Sequence, residues 1–360
     1  MNGLRDTMES YEARILALIS LFEREFDIDN KISLIKRAIN LADSNNDLQW
    51  GADLRLQLIA TEIRKTRLPE SFAALTWMLN VYETHPEFFD AEALLLIYKH
   101  MASVCFRYID IPKHQIDNIF ADFKSRLKKN GLGNRDYYDI LISWNIFSGQ
   151  NDEARRCLSE MENEPFDQIN LEIAKPLEVA ICLLEKKFDQ AISIAENRLR
   201  DTSAFETEAM SMYFTLTYYL SKAKDNRAHL FFKKLKEEFE AIKEYNYCHY
   251  ILPSIFMYLS LNNQQLAWHY FEKYAGLEIE GDETLMFDIA LSLLPLLKGK
   301  NGSKELNLSP KAPYYCIDNI YNITDLYNYY YNHAYELAIR FDKRNGNNHF
   351  IEQLNEITLL

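Results

Sequence analysis

Glycine and proline are scarce, 10 and 9 of 360 residues, so few tight hairpin turns can be built and a β-rich fold is disfavoured. Cysteine is scarce as well. Cys105, Cys157, Cys182, Cys248 and Cys316 are scattered, odd in number and never spaced Cys-x-x-Cys, which fits reduced thiols in a cytosolic protein and excludes a disulfide framework. Positive charge is in deficit: 40 basic against 53 acidic residues give a net charge of −13. Nucleic acid is therefore not an expected partner, because such binding needs a basic footprint. The densest basic run, Lys124, Arg126, Lys128 and Lys129, stands just before Gly131 and suits the end of a helix, where cations meet the negative pole of the macrodipole. No apolar run approaches the roughly 20 residues of a membrane span, and MNGLRDTMESYEAR at the N-terminus lacks the apolar centre of a signal peptide. A cytoplasmic protein with no membrane contact is expected.

Catalytic motifs are missing too. There is no Gly-x-Gly-x-x-Gly, no Walker loop, no Gly-x-Ser-x-Gly elbow and no His-Glu-x-x-His. The fragment GKNGSK, Gly299 to Lys304, has its lysine and serine in the wrong order and reads as linker. None of the eight histidines stands four residues from another, so no helical metal pair forms. The expectation is a protein that is not an enzyme, with no cofactor and no metal.

What is present is apolar periodicity. Apolar residues make up 48% of the chain, and its length exceeds the roughly 250–300 residues at which a single core stops growing. Two domains or a stacked array are the solutions. Four segments align on a small residue: Ala154, Ala191, Ala228 and Ala267, spaced 37, 37 and 39 residues apart. Each has an apolar residue four places on (Leu158, Ala195, Phe232, Phe271), and three have one seven places on (Met161, Leu235, Tyr274). That pattern lets two helices approach at the alanine and pack along one seam. Upstream of each anchor lies another helical apolar block, so the unit is helix, turn, helix. Weaker copies run through Ile116, Phe120 and Phe123, through Ala74, Met78 and Val81, and through Leu34, Ala38 and Leu41. About seven units result.

On these residues the chain resembles the tetratricopeptide-repeat family and is similar to bacterial members made of repeats alone. Tyr138, Leu141, Gly149 and Ala154 match the family's aromatic, leucine, glycine and alanine positions in one unit. Phe188 stands three residues before Ala191, and Tyr219 and Tyr258 take the first-helix tyrosine place in the next two units. The glycine is lost after the Ala154 unit, and the period is longer than the family's roughly 34 residues. The resemblance implies an all-α fold: a right-handed α-solenoid of about seven antiparallel helix pairs over residues 1–298, firmest at about 135–275. Residues 299–312 are expected to be an exposed linker. Residues 313–360 are expected to form a C-terminal helical capping unit in which eight tyrosines fall between Tyr314 and Tyr335. Those tyrosines suit a cap with a wet outer face or a recognition surface.

The same resemblance implies a concave groove lined by first helices, with Asp136, Asp139, Ser143, Tyr213 and Thr217 as partner-binding positions. Members that grip a C-terminal carboxylate use Lys, Asn and Arg there. Asp139 and Ser143 stand in those places here, so a basic or mixed segment is the better fit. The expected function is non-enzymatic binding of a protein or peptide, as adaptor, scaffold or inhibitor. The alternative is a peptide-sensing regulatory protein of bacterial signalling type, although YEARILALISLFEREF near the start supplies helix and no helix-turn-helix.

Overall fold

Short acceptor side chains start the first helices. Ser10, Asp27 and Asp47 accept the backbone N–H three residues ahead, at 3.2, 2.9 and 3.0 Å, and so satisfy donors that a helix start leaves open. The computed structural model describes residues 10–165, 174–200, 206–242 and 246–360, and regular structure in these is helical except for one two-stranded ribbon. Cys248 and the N-terminal residues 1–9, read above from sequence, lie outside the described side chains. Among the described residues no helix is long and apolar enough to cross a membrane. The chain divides after Met101 into two units.

The first unit holds α1 (Tyr11–Arg24), α2 (Ile28–Ser44), α3 (Leu48–Glu62), α4 (Pro69–Tyr82) and the start of α5 (Ala91–Val104). Helices α1 to α4 pack each on the next, over a core that includes Ile15, Ile35, Ala38, Leu54, Leu58 and Met78. Two buried charges on α3 are both answered. Arg55 forms a two-pronged pair with Asp43 at 3.0 and 2.8 Å and lies 3.8 Å over the Trp77 ring. Helix α4 begins with a proline and has no cap of its own. Glu62 supplies one from α3, accepting from Glu70 N, Ser71 N and Ser71 Oγ at 3.3, 2.6 and 2.6 Å. Burial pushes its carboxyl above the usual range against those three donors.

The second unit contains α6 (Lys113–Lys129), α7 (Arg135–Phe147), α8 (Asn151–Asn163), α9 (Ala174–Leu184), α10 (Phe188–Leu199), α11 (Glu206–Lys222), α12 (Ala228–Ile242), α13 (Leu252–Asn262), α14 (Gln264–Tyr274) and α15 (Glu283–Leu297). It ends in β1 (Ser303–Glu305), β2 (Ile320–Asn322), α16 (Ile323–Asn345) and α17 (His349–Thr358). Packed pairs form as the spacing predicts: α7 with α8, α9 with α10, α11 with α12 and α13 with α14. The anchors Ala154, Ala191 and Ala267 are wholly buried and Ala228 nearly so, as are Leu158, Ala195, Phe232 and Phe271 four places on. In addition α7 touches α9, α9 touches α11, α11 touches α13 and α13 touches α15, so the first helices form one row.

The turns inside these pairs repeat in backbone rather than in sequence. Gly149, Lys186 and Lys224 all have positive φ, 76°, 60° and 56°. Around each, the next residue's N–H reaches back five residues to the carbonyl of Asn145, Cys182 or Leu220, the six-to-one bond of a closing Schellman turn. Lysine tolerates this left-handed position at a cost of about 1–2 kcal/mol. That is why the repeat survives without its glycine.

The C-terminal segment is docked on the second unit. Phe147 at the end of α7, Phe287 of α15, Phe341 of α16 and Phe350 of α17 form one aromatic cluster with ring centroids 4.5–5.6 Å apart. Asn347 Nδ2 donates to Ser148 O at 2.6 Å, and Lys298 Nζ to Thr358 O at 2.6 Å. The stretch read as linker is packed along part of its length. Residues 303–305 pair antiparallel with 320–322, and Leu306, Leu308 and Ala312 are buried, because alternate apolar residues follow the strand into the core. The tyrosines divide: Tyr321 and Tyr330 are buried, while Tyr327, Tyr331 and Tyr335 stack in sequence along α16, with Tyr335 exposed.

His349 on α17 is half-buried and covers Gly149. Burial, with Lys222 nearby, pushes its imidazole down to about 4. With a folded pKa below the ordinary value of about 6.5, the unfolded chain takes up a proton first as pH falls. Stability is thus complete above about pH 6.5 and is lost progressively towards pH 4, by about 2 kcal/mol. Urea unfolding between pH 7 and 4 should show this slope, and His349→Gln should flatten it.

Candidate functional site

The row of first helices carries ionisable side chains where an apolar core would be cheaper. The chain after α5 makes a short 3₁₀ turn, Cys105–Arg107, which delivers Arg107 to the start of α15. Its Nε lies 2.9 Å from Asp282 Oδ2, and its guanidinium stacks 4.0 Å from the Tyr250 ring centre. Asp282 is 1% exposed. It also accepts from Tyr250 Oη at 2.9 Å and caps α15 by accepting from Leu285 N at 2.8 Å. Thr284 Oγ1 donates to Arg107 O at 3.3 Å. Burial alone would disfavour the guanidinium charge, and the charges of Asp282, Tyr250, Asp288 and Tyr108 together outweigh it.

Beyond this pair, further along α15, stands Asp288. Burial pushes its carboxyl up to about 7, Arg107 opposes the rise and Asp282 adds to it. On α11, Tyr218 and Tyr219 meet edge to face with ring centroids 5.4 Å apart. Burial and the charge of Asp288 raise both phenols well above their ordinary range. Yet Tyr218, Tyr219 and Asp288 each keep accessible surface. Lys222 closes the end of α11 by pairing with Glu356 of α17 at 2.5 Å.

The turn that delivers Arg107 is held from the other side. Arg344 of α16 donates to Tyr108 O at 2.9 Å and sits 5.1–5.9 Å from the rings of Trp144, Phe147 and Phe341, where burial lowers its pKa to about 10. Arg340 pairs with Asp110 at 2.9 Å. Cys105 beside it is pushed up to about 12 by burial, so it holds its proton and is no nucleophile at neutral pH. Among the described residues no group of three or more His, Cys, Asp or Glu could hold a metal ion. The ionisable groups named on these elements are the Arg107–Asp282 ion pair, the Asp288 carboxyl and the two phenols of Tyr218 and Tyr219.

Of the five positions the sequence singles out, Asp136, Asp139 and Thr217 are buried within the chain's own packing, at 2%, 8% and 0% exposure. Ser143 and Tyr213 are half-buried and keep surface that a partner can reach. Tyr213 and Thr217 share α11 with Tyr218 and Tyr219, whereas Asp136, Asp139 and Ser143 belong to α7. Sequence reasoning missed Arg107, Tyr218, Asp282 and Asp288. One signal was there to find: Asp288 is the lone charge in LMFDIALSLLPLL, a stretch otherwise apolar enough to be buried on every side. Compared with known proteins, the chain matches no family model, no curated protein and no solved structure.

Proposed function

We propose that this protein is a non-enzymatic helical-repeat protein, a tetratricopeptide-like right-handed solenoid of about seven helix pairs with a C-terminal cap. In this reading it binds a protein or peptide segment along the row of first helices, as adaptor, scaffold or inhibitor. The observation that carries the reading is the continuous row of contacts from α7 through α9, α11 and α13 to α15. The buried alanine anchors seal the second helices against it. A row of that kind presents several turns of side chains to one extended ligand. Tyr213, Tyr218, Tyr219 and Asp288 are its reachable aromatic and acidic groups, a composition suited to a basic or mixed segment.

The second reading, a peptide-sensing regulator, is favoured by one feature. The 105–110 turn is tied both to α15 and to α16, so a ligand that moved this turn would act on distant parts of the chain at once.

Panning a random peptide library against the full chain tests the leading reading. Enriched peptides should bind a Tyr213→Ala variant of unchanged Tm at least about tenfold more weakly, a loss of about 1.4 kcal/mol. Absence of enrichment, or equal binding by the variant, counts against it. Reversing the charge of Asp136 and Asp139 would test folding instead, since both are buried.

A further inference from the structure

We infer that the groove between α1 and α2 in the first unit docks an acidic amphipathic helix of a partner protein, held at its two ends by Arg14 and Arg37. The site belongs to the first unit and is independent of the row of first helices in the second.

The groove holds about 470 Å³, within the range of pockets that take a specific ligand. Its α1 wall is made by Arg14, Ala17, Leu18 and Leu21. Its α2 wall repeats the spacing with Arg37, Asn40, Leu41 and Ser44. Each wall is thus one helical stripe at i, i+3, i+4 and i+7, with arginine first and leucine four places on. The two helices run antiparallel, because only residues 25–27 separate them and Tyr11 Oη at the start of α1 donates to Asp47 Oδ2 just past the end of α2, at 3.0 Å. The arginines therefore stand at opposite ends of the groove and the leucines lie between them. Seven residues of helix advance about 10 Å, which sets the separation that the partner's charges must have.

The charges of the groove are open. Basic side chains close by are answered: Lys36 pairs with Glu70, and Arg55 pairs with Asp43 of α2. Among the described residues Arg14 and Arg37 have no ion-pair partner, and both are exposed. In a chain of 53 acidic and 40 basic residues, two unanswered guanidinium groups on one groove do not come from a shortage of acids. Apolar surface is left open beside them. Leu21 is 54% exposed on the groove wall, and the buried Leu18 is part of the same lining.

This pattern is the complement of a helix that carries two acids seven residues apart, with apolar residues at the third and fourth places between them. Guanidinium groups meet carboxylates in a two-pronged geometry, so the arginines fix the register while the leucines supply burial. A helix suits the seat better than an extended strand, because this chain fills the angle between paired helices with helices: α9 contacts both α7 and α8. A concave groove also fits a helix better than a flat lipid surface.

The test is fluorescence anisotropy of the full chain with a fluorescein-labelled, alanine-based helical peptide bearing two glutamates seven residues apart and two leucines between them. In the control peptide both glutamates are lysine. The glutamate peptide should bind saturably, and more weakly as salt is raised. Arg14→Glu combined with Arg37→Glu should lose at least about tenfold in affinity for it and should bind the lysine peptide instead. Loss of fold cannot produce that exchange of preference, and exposed unpaired arginines can be replaced with little change in Tm. Leu21→Ser should weaken the glutamate peptide with its salt dependence unchanged. No saturable binding, equal binding of the two peptides by the parent, or binding untouched by the charge reversal overturns the inference. Self-association of the parent, or its binding to phosphatidylserine vesicles, overturns it too if the charge reversal abolishes either, since the groove then belongs to a second copy or to a membrane. None of these outcomes bears on the row of first helices.

Discussion

Replacing Arg107 by methionine is expected to destabilise the second unit by about 3–5 kcal/mol, the usual cost of leaving one partner of a buried ion pair uncompensated. The pair is nearly closed to solvent, with side-chain exposures of 22% for Arg107 and 2% for Asp282. Methionine fills much of the volume of the aliphatic stem but leaves Asp282 with only Tyr250 Oη and the Leu285 N–H. The ring of Tyr250 also loses the guanidinium that stacks on it at 4.0 Å. Because Arg107 joins the turn after α5 to the first turn of α15, 175 residues later, the loss falls on a contact that closes the unit. Arg107→Lys should recover only part of it, since an ammonium cannot reproduce the fork and the ring stacking together. Urea unfolding followed by tryptophan fluorescence checks this through Trp144, which packs near Phe106 of the same turn. A loss below about 1 kcal/mol would mean that the pair is solvated and weak.

Gly149→Ala should cost about 2–4 kcal/mol for two separable reasons. The residue has φ +76°, where any side chain adds about 1–2 kcal/mol. A methyl group there would also stand 2.3 Å from Nδ1 and 2.4 Å from Cγ of His349, so α17 must shift, with a packing cost of about 1–3 kcal/mol. The double variant Gly149→Ala/His349→Ala tells the two apart. The clash with the ring vanishes in it, a 2.9 Å approach to Cβ of residue 349 remains and the backbone term stays, so the coupling between the sites should be about 1–2 kcal/mol in thermal unfolding. Additive losses would show that α17 does not rest on this turn. Lys186 and Lys224 occupy the same turn position, so a side chain is tolerated there.

These two positions also mark where the sequence is legible and where it is not. The helix pairs could be read because an alanine seam repeats every 37 to 39 residues, and a buried seam tolerates little variation in size. The turns could not be read in full. Once glycine gives way to lysine at 186 and 224, the left-handed residue carries no compositional mark, and the structure supplies it at modest cost. The residues 299–312 look like a linker by composition, yet Leu306, Leu308 and Ala312 are buried and hold part of the stretch down. Polar character on α7 suggested exposure, but Asp136 and Asp139 are enclosed. Polarity in one sequence does not reveal which neighbours come to satisfy it. The candidate site was least legible of all. It draws on Arg107 from the turn after α5, Tyr218 and Tyr219 from α11, and Asp282 and Asp288 from the start and middle of α15, and no spacing rule links elements so far apart in the chain.

The tyrosines of α16 show the same limit from another side. Composition suggested either a cap or a recognition surface, and the helix carries both kinds of tyrosine. Tyr330 is buried against Phe271, whereas Tyr331 and Tyr335 stack outside. Four-residue spacing places the outer tyrosines on one stripe, and the count alone could not sort them.

The central claim is that ligand is held by the row of first helices in the second unit. Photo-crosslinking gives the most direct measurement: a library-selected peptide carrying a photoreactive residue is irradiated with the full chain and the adducts are mapped by mass spectrometry. The account predicts adducts on the first helices, at and around Tyr213 of α11. Adducts confined to the second helices, for example around the exposed Leu230 of α12, would contradict it.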